Sequence, residues 1–164
     1  MTARRKARED ALQILYQLEM NHDLTPEAAL YYFERHFLVP RQRDVVASKA
    51  DVRDTPPAFS EMAKVLDPFT QRLVTGVTQN LRDLDASIAA ASEHWRTGRM
   101  PVVDRNILRI GVFELNHCDD VPATVTINEM VEVAKQFGSE NSAAFVNGVL
   151  DKLKAGLNRP SKVP

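Results

Sequence analysis

Four cations, Arg4, Arg5, Lys6 and Arg8, fall within the first eight residues, ahead of the first acid at Glu9. A helical advance of about 100° per residue sets Arg5, Arg8, Leu12 and Tyr16 on one stripe, so an aromatic ring continues the basic surface. Cations followed by an aromatic suit single-stranded RNA: the phosphates take the charge, and unpaired bases stack on rings or guanidinium planes. The plainer reading of the same residues is a solvated basic helix end with Tyr16 half-buried. A second candidate lies near the other end, in Gly138-Ser139-Glu140-Asn141-Ser142-Ala143-Ala144-Phe145. There Asn141 and Ser142, at a helix start, can meet nucleotides or phosphates while Phe145 offers its ring. Phe145 also borders the apolar arc of Val146, Val149, Leu150 and Leu153, and core packing is the commoner fate of such a residue. Gly148, inside that helix at a cost of about 1 kcal/mol relative to Ala, implies that a neighbour packs close to the backbone.

No comparable pattern points to catalysis. The chain has no Gly-rich phosphate loop, nucleophile elbow, HExxH or paired cysteines. Its single cysteine, Cys118, excludes an internal disulfide and a thiolate metal cage, and suits a reducing compartment. Asp119 and Asp120 beside it raise a thiol pKa, and a turn before Pro122 accounts for them better than a reactive site does. His22, His36, His94 and His117 stand in separate segments near expected helix ends, without ligand spacing. No metal, cofactor or enzymatic activity is expected. A formal net charge of −1 requires any basic site to be local. The absence of an apolar run of roughly 18 residues argues against a membrane span and for the cytoplasm.

The elements that must position these residues read as helices throughout, an all-α fold. Leu12, Leu15 and Leu18 predict a first helix over residues 3 to 20, and Thr25-Pro26-Glu27 caps a second running through Leu30, Phe33 and Phe37. Residues 40–58, with three prolines and little periodicity, read as a surface loop. Apolar spacing resumes from Phe59 to Leu81, with a break or kink at Pro68, and continues through Leu84 and Ile88 to Trp95. Asp104 opens a helix apolar around much of its circumference, which belongs in the centre of the fold. Thr126-x-x-Glu129 reads as a capping box for the next helix, which stops at Gly138, and Ser139 as the cap of the last. The only strand-like alternation is the short ATVTI at residues 123–127. The expectation is one domain over 1–157, an insertion at 40–58 and a tail over 158–164.

Three segments together, RRKAREDALQILYQLE from Arg4, the stretch DRNILRIGVFELNHCDDVPATVTINEMVEVAKQFG from Asp104, and SENSAAFVNGVLDKL up to Leu153, resemble the NusB family of bacterial transcription antitermination factors. The resemblance covers nearly the whole chain, with several long motifs agreeing in order. It implies two small helical bundles packed into one domain, binding of boxA RNA, and a partner in the small-subunit ribosomal protein NusE. It further implies action on the RNA polymerase elongation complex with other Nus factors, and leaves both a monomer and a homodimer open. Carried over by position, the RNA-facing residues are Arg4, Arg5, Lys6, Arg8, Tyr16, Phe137, Asn141, Ser142 and Phe145, and the partner-facing ones Asp104 and Arg105. Asn141 stands where the family commonly has an acid, and Ala143-Ala144 where it has a polar or basic pair. A helical module preceding some RNA methyltransferases and a purely structural adaptor are the rival readings.

Overall fold

The computed structural model describes residues 2–38, 66–93 and 99–157, so the proposed insertion at 40–58, the tail at 158–164, Trp95 and His94 lie outside the described residues. Among those described, seven α-helices and no strand are found: α1 (Ala3–Met20), α2 (Pro26–Phe33), α3 (Pro68–Gln79), α4 (Leu81–Ala91), α5 (Val102–His117), α6 (Ala123–Phe137) and α7 (Ser142–Ala155). The all-α expectation holds.

Local chemistry explains most of the boundaries. The Thr2 hydroxyl accepts the Arg5 N–H at 3.2 Å to start α1, and Thr25 does the same for Ala28 ahead of Pro26. α2 passes into a π-helical turn, Glu34–Leu38, where Phe37 stacks on Phe33 at 5.0 Å between centroids. Pro68 stands at the first position of α3, with the Asp67 carboxylate accepting the Phe69 N–H at 2.8 Å, and the stretch from Phe59 to Val65 expected ahead of it lies outside the described residues. α5 opens at Val102, directly after Pro101 and two residues before Asp104.

Two cap assignments fail, each for its own reason. α6 begins at Ala123, after Pro122, so ATVTI is helix and Thr126 lies inside it, fully buried. Its supposed capping partner Glu129 binds Arg5 instead. At α7 the hydroxyl that accepts a backbone N–H belongs to Ser142, and the N–H is that of Ser139, the reverse of the expected cap. At α6 the motif's glutamate is held from across the fold by Arg5, whereas at α7 Ser139 is held locally by the Ser142 hydroxyl.

The helices fall into two groups. α1, α2 and α3 pack on one another, while α4, α6 and α7 gather around α5, which also reaches α1 and α3. Ile107, Leu108, Ile110, Val112 and Leu115 of α5 are buried, the central position its composition predicts. Two glycines permit the close approaches. A Cβ on Gly76 of α3 would overlap the Phe113 ring, and one on Gly111 would press on Leu150 and Met130 at 2.9 and 3.2 Å. Gly148, singled out above, has nothing within 4 Å of where its Cβ would be, so no neighbouring helix explains it.

Candidate nucleic-acid interface

The basic start of α1 divides into exposed and buried cations. Arg4 is exposed, its guanidinium 4.6 Å from the centroid of the Phe69 ring and 3.0 Å from the Asp120 carboxylate. Arg72 of α3 reaches the other oxygen of Asp120 at 3.0 Å and the His117 carbonyl at 2.9 Å. Arg5, half-buried, makes a two-pronged contact with Glu129 of α6 at 2.8 and 2.9 Å. Lys6 is exposed and pairs with Asp10 one turn on. These contacts hold the Asp120 and Glu129 carboxyls below their ordinary values, Asp120 through hydrogen bonds from Arg4 and then Arg72, Glu129 through its hydrogen bond from Arg5.

Arg8 departs from the surface stripe. It is 1% exposed and grips Glu114 of α5, itself fully buried, at 2.8 and 2.6 Å. Leu12, next on the stripe, is also buried, and only Tyr16 returns to solvent at 42% exposure. The stripe therefore dips into the core between Arg5 and Tyr16, about 16 Å apart along the helix, where α1 packs against α3 and α5.

At the other candidate edge, Asn141 is exposed, whereas Ser142 is 1% exposed, its hydroxyl 2.7 Å from Asp104. Phe137 and Phe145 are partly buried against the core, so Phe145 is a border residue as its spacing implied. α6 joins the two edges: its Glu129 holds Arg5, and two turns later, roughly 12 Å along the axis, Phe137 leads into the loop before α7.

The two residues carried over as partner-facing are not an open pair. Asp104 is 5% exposed and turned toward Ser142. Arg105 donates to the Met100 carbonyl at 3.1 Å and to Glu19 at the end of α1. Glu19 also accepts from Asn106 at 2.8 Å and from Arg109 at 3.2 Å, and Arg109 clasps Asp85 of α4 at 2.7 and 2.8 Å. This α1–α4–α5 network was not anticipated. Its visible signal was the pair of arginines, at 105 and 109, one turn apart on a helix with a large apolar share. Arg72 and Phe69 were missed at the basic edge for want of any local motif. Cys118 is buried, and burial above all pushes its thiol up to about 11, with Arg72 opposing. The adjacent acids are thus a smaller cause than the sequence suggested, and Asp120 serves as the bridge between Arg4 and Arg72.

Among the described residues no cluster of His, Cys, Asp and Glu is arranged to hold a metal ion, and no helix is long and apolar enough to cross a membrane. What the arrangement offers is a cationic edge on α1 and α3, with the Phe69 ring buried beneath Arg4, continued by α6 to an exposed loop and helix start. The T. maritima NusB structure superposes with a TM-score of 0.69 at 32% identity, covering 94% of this chain and 92% of that one. The crystal structure of antitermination factors NusB and NusE in complex with dsRNA matches at a TM-score of 0.67 and 20% identity, covering 94% and 97%, a likeness of fold. The transcription antitermination protein NusB of Myxococcus xanthus is 42% identical over 160 residues, 98% of this chain and 100% of its own. The NusB family model matches residues 5–155, and with it the chain belongs to the NusB family.

Proposed function

We propose that this protein acts in transcription antitermination by binding boxA-like single-stranded RNA together with NusE, modifying elongation by RNA polymerase with other Nus factors, in the cytoplasm and without chemistry of its own. The observation that carries the reading is the composite edge. Arg4, Arg5, Lys6 and Arg72 supply cations around Phe69, Tyr16 is exposed farther along α1, and α6 connects this edge to Asn141 and Phe145. Arg8 and Ser142 belong to this surface as supports beneath it, since both are buried. Exposed cations supply the salt-sensitive part of the affinity, and rings and amides select the bases. The start of α5 around Arg105 is the surface for NusE. The relatives named for antitermination, and the fold shared with a NusB–NusE–dsRNA complex, support the same reading.

The test is a salt titration of binding to a short boxA-like RNA and a scrambled control, with and without NusE. Preference for the boxA-like strand, strengthened by NusE, is expected. Replacing Arg4 and Arg5 with Ala should weaken binding to both RNAs and flatten the salt dependence by roughly 0.7 per lost phosphate contact. Equal weak binding to both RNAs, indifferent to NusE, would leave a helical adaptor with a solubilising basic end.

A further inference from the structure

Asp120, in the turn that follows α5, is held by arginines from two other helices. Arg4 of α1 reaches its Oδ2 at 3.0 Å, and Arg72 of α3 reaches its Oδ1 at 3.0 Å. Two guanidinium groups from separate elements thus converge on the two oxygens of one small anion. A phosphodiester presents a similar target, two unesterified oxygens sharing one negative charge, and a guanidinium meets it with the same fork that it uses for a carboxylate. Exposed ion pairs contribute little to stability, so folding alone is a poor reason for two arginines to share one exposed carboxylate.

Both arginines are held in place by more than Asp120. The Arg4 guanidinium lies 4.6 Å from the centroid of the Phe69 ring, which is buried and also lies 5.3 Å from Arg8, itself fixed by Glu114. Arg72 donates to the His117 carbonyl at 2.9 Å, and the His117 ring stacks on Phe113 at 4.9 Å. The working ends nonetheless face water: the side chains of Arg4, Arg72 and Asp120 are 48%, 43% and 46% exposed. A guanidinium carries five N–H donors. Among the described residues Arg4 commits one to Asp120, and Arg72 commits one to Asp120 and one to His117, so both keep donors for a further anion. Two cations against one carboxylate leave the trio positive.

We propose that Arg4 and Arg72 form a clamp for one backbone phosphate of the RNA, carrying the strand from α1 onto α3, and that Asp120 keeps the phosphate's place in the free protein and yields it on binding. The proposal rests on the RNA-binding reading above and deepens it. It gives α3 a defined RNA contact, and it gives Asp120 the role of an internal competitor that keeps the two guanidinium groups converged until the strand arrives. A phosphate carries no base identity, so the clamp contributes affinity and register, and base choice stays with other parts of the surface.

The experiment is a salt titration of binding by the full-length wild type, Arg72→Ala, Arg72→Lys and Asp120→Asn, with NusE binding and thermal unfolding measured alongside. The probes are a boxA-like RNA, a scrambled control, and boxA-like strands in which one phosphate at a time is a neutral methylphosphonate. In the wild type, neutralising the clamped phosphate should weaken binding. In Arg72→Ala that penalty should vanish at one position and persist at the others. The intact strand should bind this variant roughly three- to tenfold more weakly, the scale of one lost charge-assisted contact. Its salt slope should fall by roughly 0.7, with the preference for boxA-like over scrambled RNA and the affinity for NusE unchanged. Asp120→Asn should bind both RNAs more tightly. A methylphosphonate profile in Arg72→Ala identical to that of the wild type, an undiminished salt slope, a lost boxA preference, weaker binding by Asp120→Asn, or a selective loss of NusE would each overturn the proposal. Should Arg72→Ala fail to fold, Arg72→Lys takes its place: the charge stays and the fork is lost, so the penalty at that phosphate must shrink, and an unchanged penalty refutes the clamp. A wild type that binds both RNAs weakly and equally is a separate outcome, which sinks the functional reading itself.

Discussion

The two candidate RNA-facing regions are built on opposite principles. At the start of α1, cations lie at or near the surface and each is matched by a carboxylate within hydrogen-bonding distance, Arg4 and Arg72 by Asp120 and Arg5 by Glu129. At the start of α7 no cation takes part among the described residues; a buried hydroxyl and a buried carboxylate shape a loop that carries an exposed amide. The first region answers to ionic strength, the second to geometry. Under the proposed function, phosphates reaching α1 have to compete with internal carboxylates already in place, so the number of arginines overstates the charge available for binding.

The comparison breaks most sharply at Arg8, which lies in the basic run but in the core. Arg8→Ala should cost about 3–5 kcal/mol of stability, because it leaves Glu114 as an uncompensated buried charge. Denaturant unfolding checks this, and a loss below about 1 kcal/mol would mean that water reaches the pair. Arg8→Lys should recover little, since an ammonium cannot reproduce the two-pronged contact.

Arg8 also shows where the sequence was legible and where it was not. The apolar spacing of Leu12, Leu15 and Leu18 and the Thr25-Pro26 cap located α1 and α2, because such signals act within one or two turns. Nothing within a turn reveals that Arg8 is buried, as its partner is 106 residues away. The trace it leaves is Glu114, an acid inside the apolar helix α5, and the two become readable only when seen as a pair. Thr126-x-x-Glu129 misled for the converse reason: a valid local motif whose glutamate is claimed by Arg5 from across the fold. The RNA-facing assignments themselves came through the family resemblance, and spacing alone left them balanced against ordinary core and surface roles.

Next in size is Phe145→Ala. A ring that stacks on a base gives up about 1–3 kcal/mol of RNA affinity on truncation. The ring is only partly buried, so a folded variant with measurable stability is expected, and fluorescence anisotropy with the boxA-like RNA reads the loss. Unchanged affinity in that variant would confine the geometric region to Asn141 and its supports.

The charged region responds to acid in a definite direction. Asp120 and Glu129 have folded-state values below their ordinary 3.8 and 4.5, so their contribution is complete above those values and is lost as pH falls through the lower, folded ones. Stability should therefore change little through these groups between pH 7 and pH 5, and fall below the ordinary carboxylate range. Glu129→Gln should flatten that fall and, at neutral pH, raise RNA affinity by removing an internal competitor for Arg5. Weaker binding in this variant would mean that Glu129 chiefly orients Arg5 toward the strand.

The smallest effect concerns Gly148, on the same face of α7 as Asn141 and Ala144. Glycine inside a helix is about 0.8–1.0 kcal/mol less favourable than alanine, and among the described residues nothing beyond the chain neighbours and backbone of its own helix comes within 4 Å of the missing Cβ. Gly148→Ala should therefore stabilise the fold by close to that amount, raising Tm by roughly 2–4 °C for a chain of this size. A methyl there disturbs no contact within the molecule, so any loss of RNA or NusE affinity must come from a surface that approaches the α7 backbone from outside. Loss of RNA affinity alone would extend the geometric region one turn past Phe145, with the strand lying along Asn141, Ala144 and Gly148. Loss of NusE alone would put the protein partner on that strip and end the RNA-facing region at Phe145. Gain of stability with both affinities intact would leave α7 beyond Phe145 outside the interface, and the helix would then carry its glycine without a binding role.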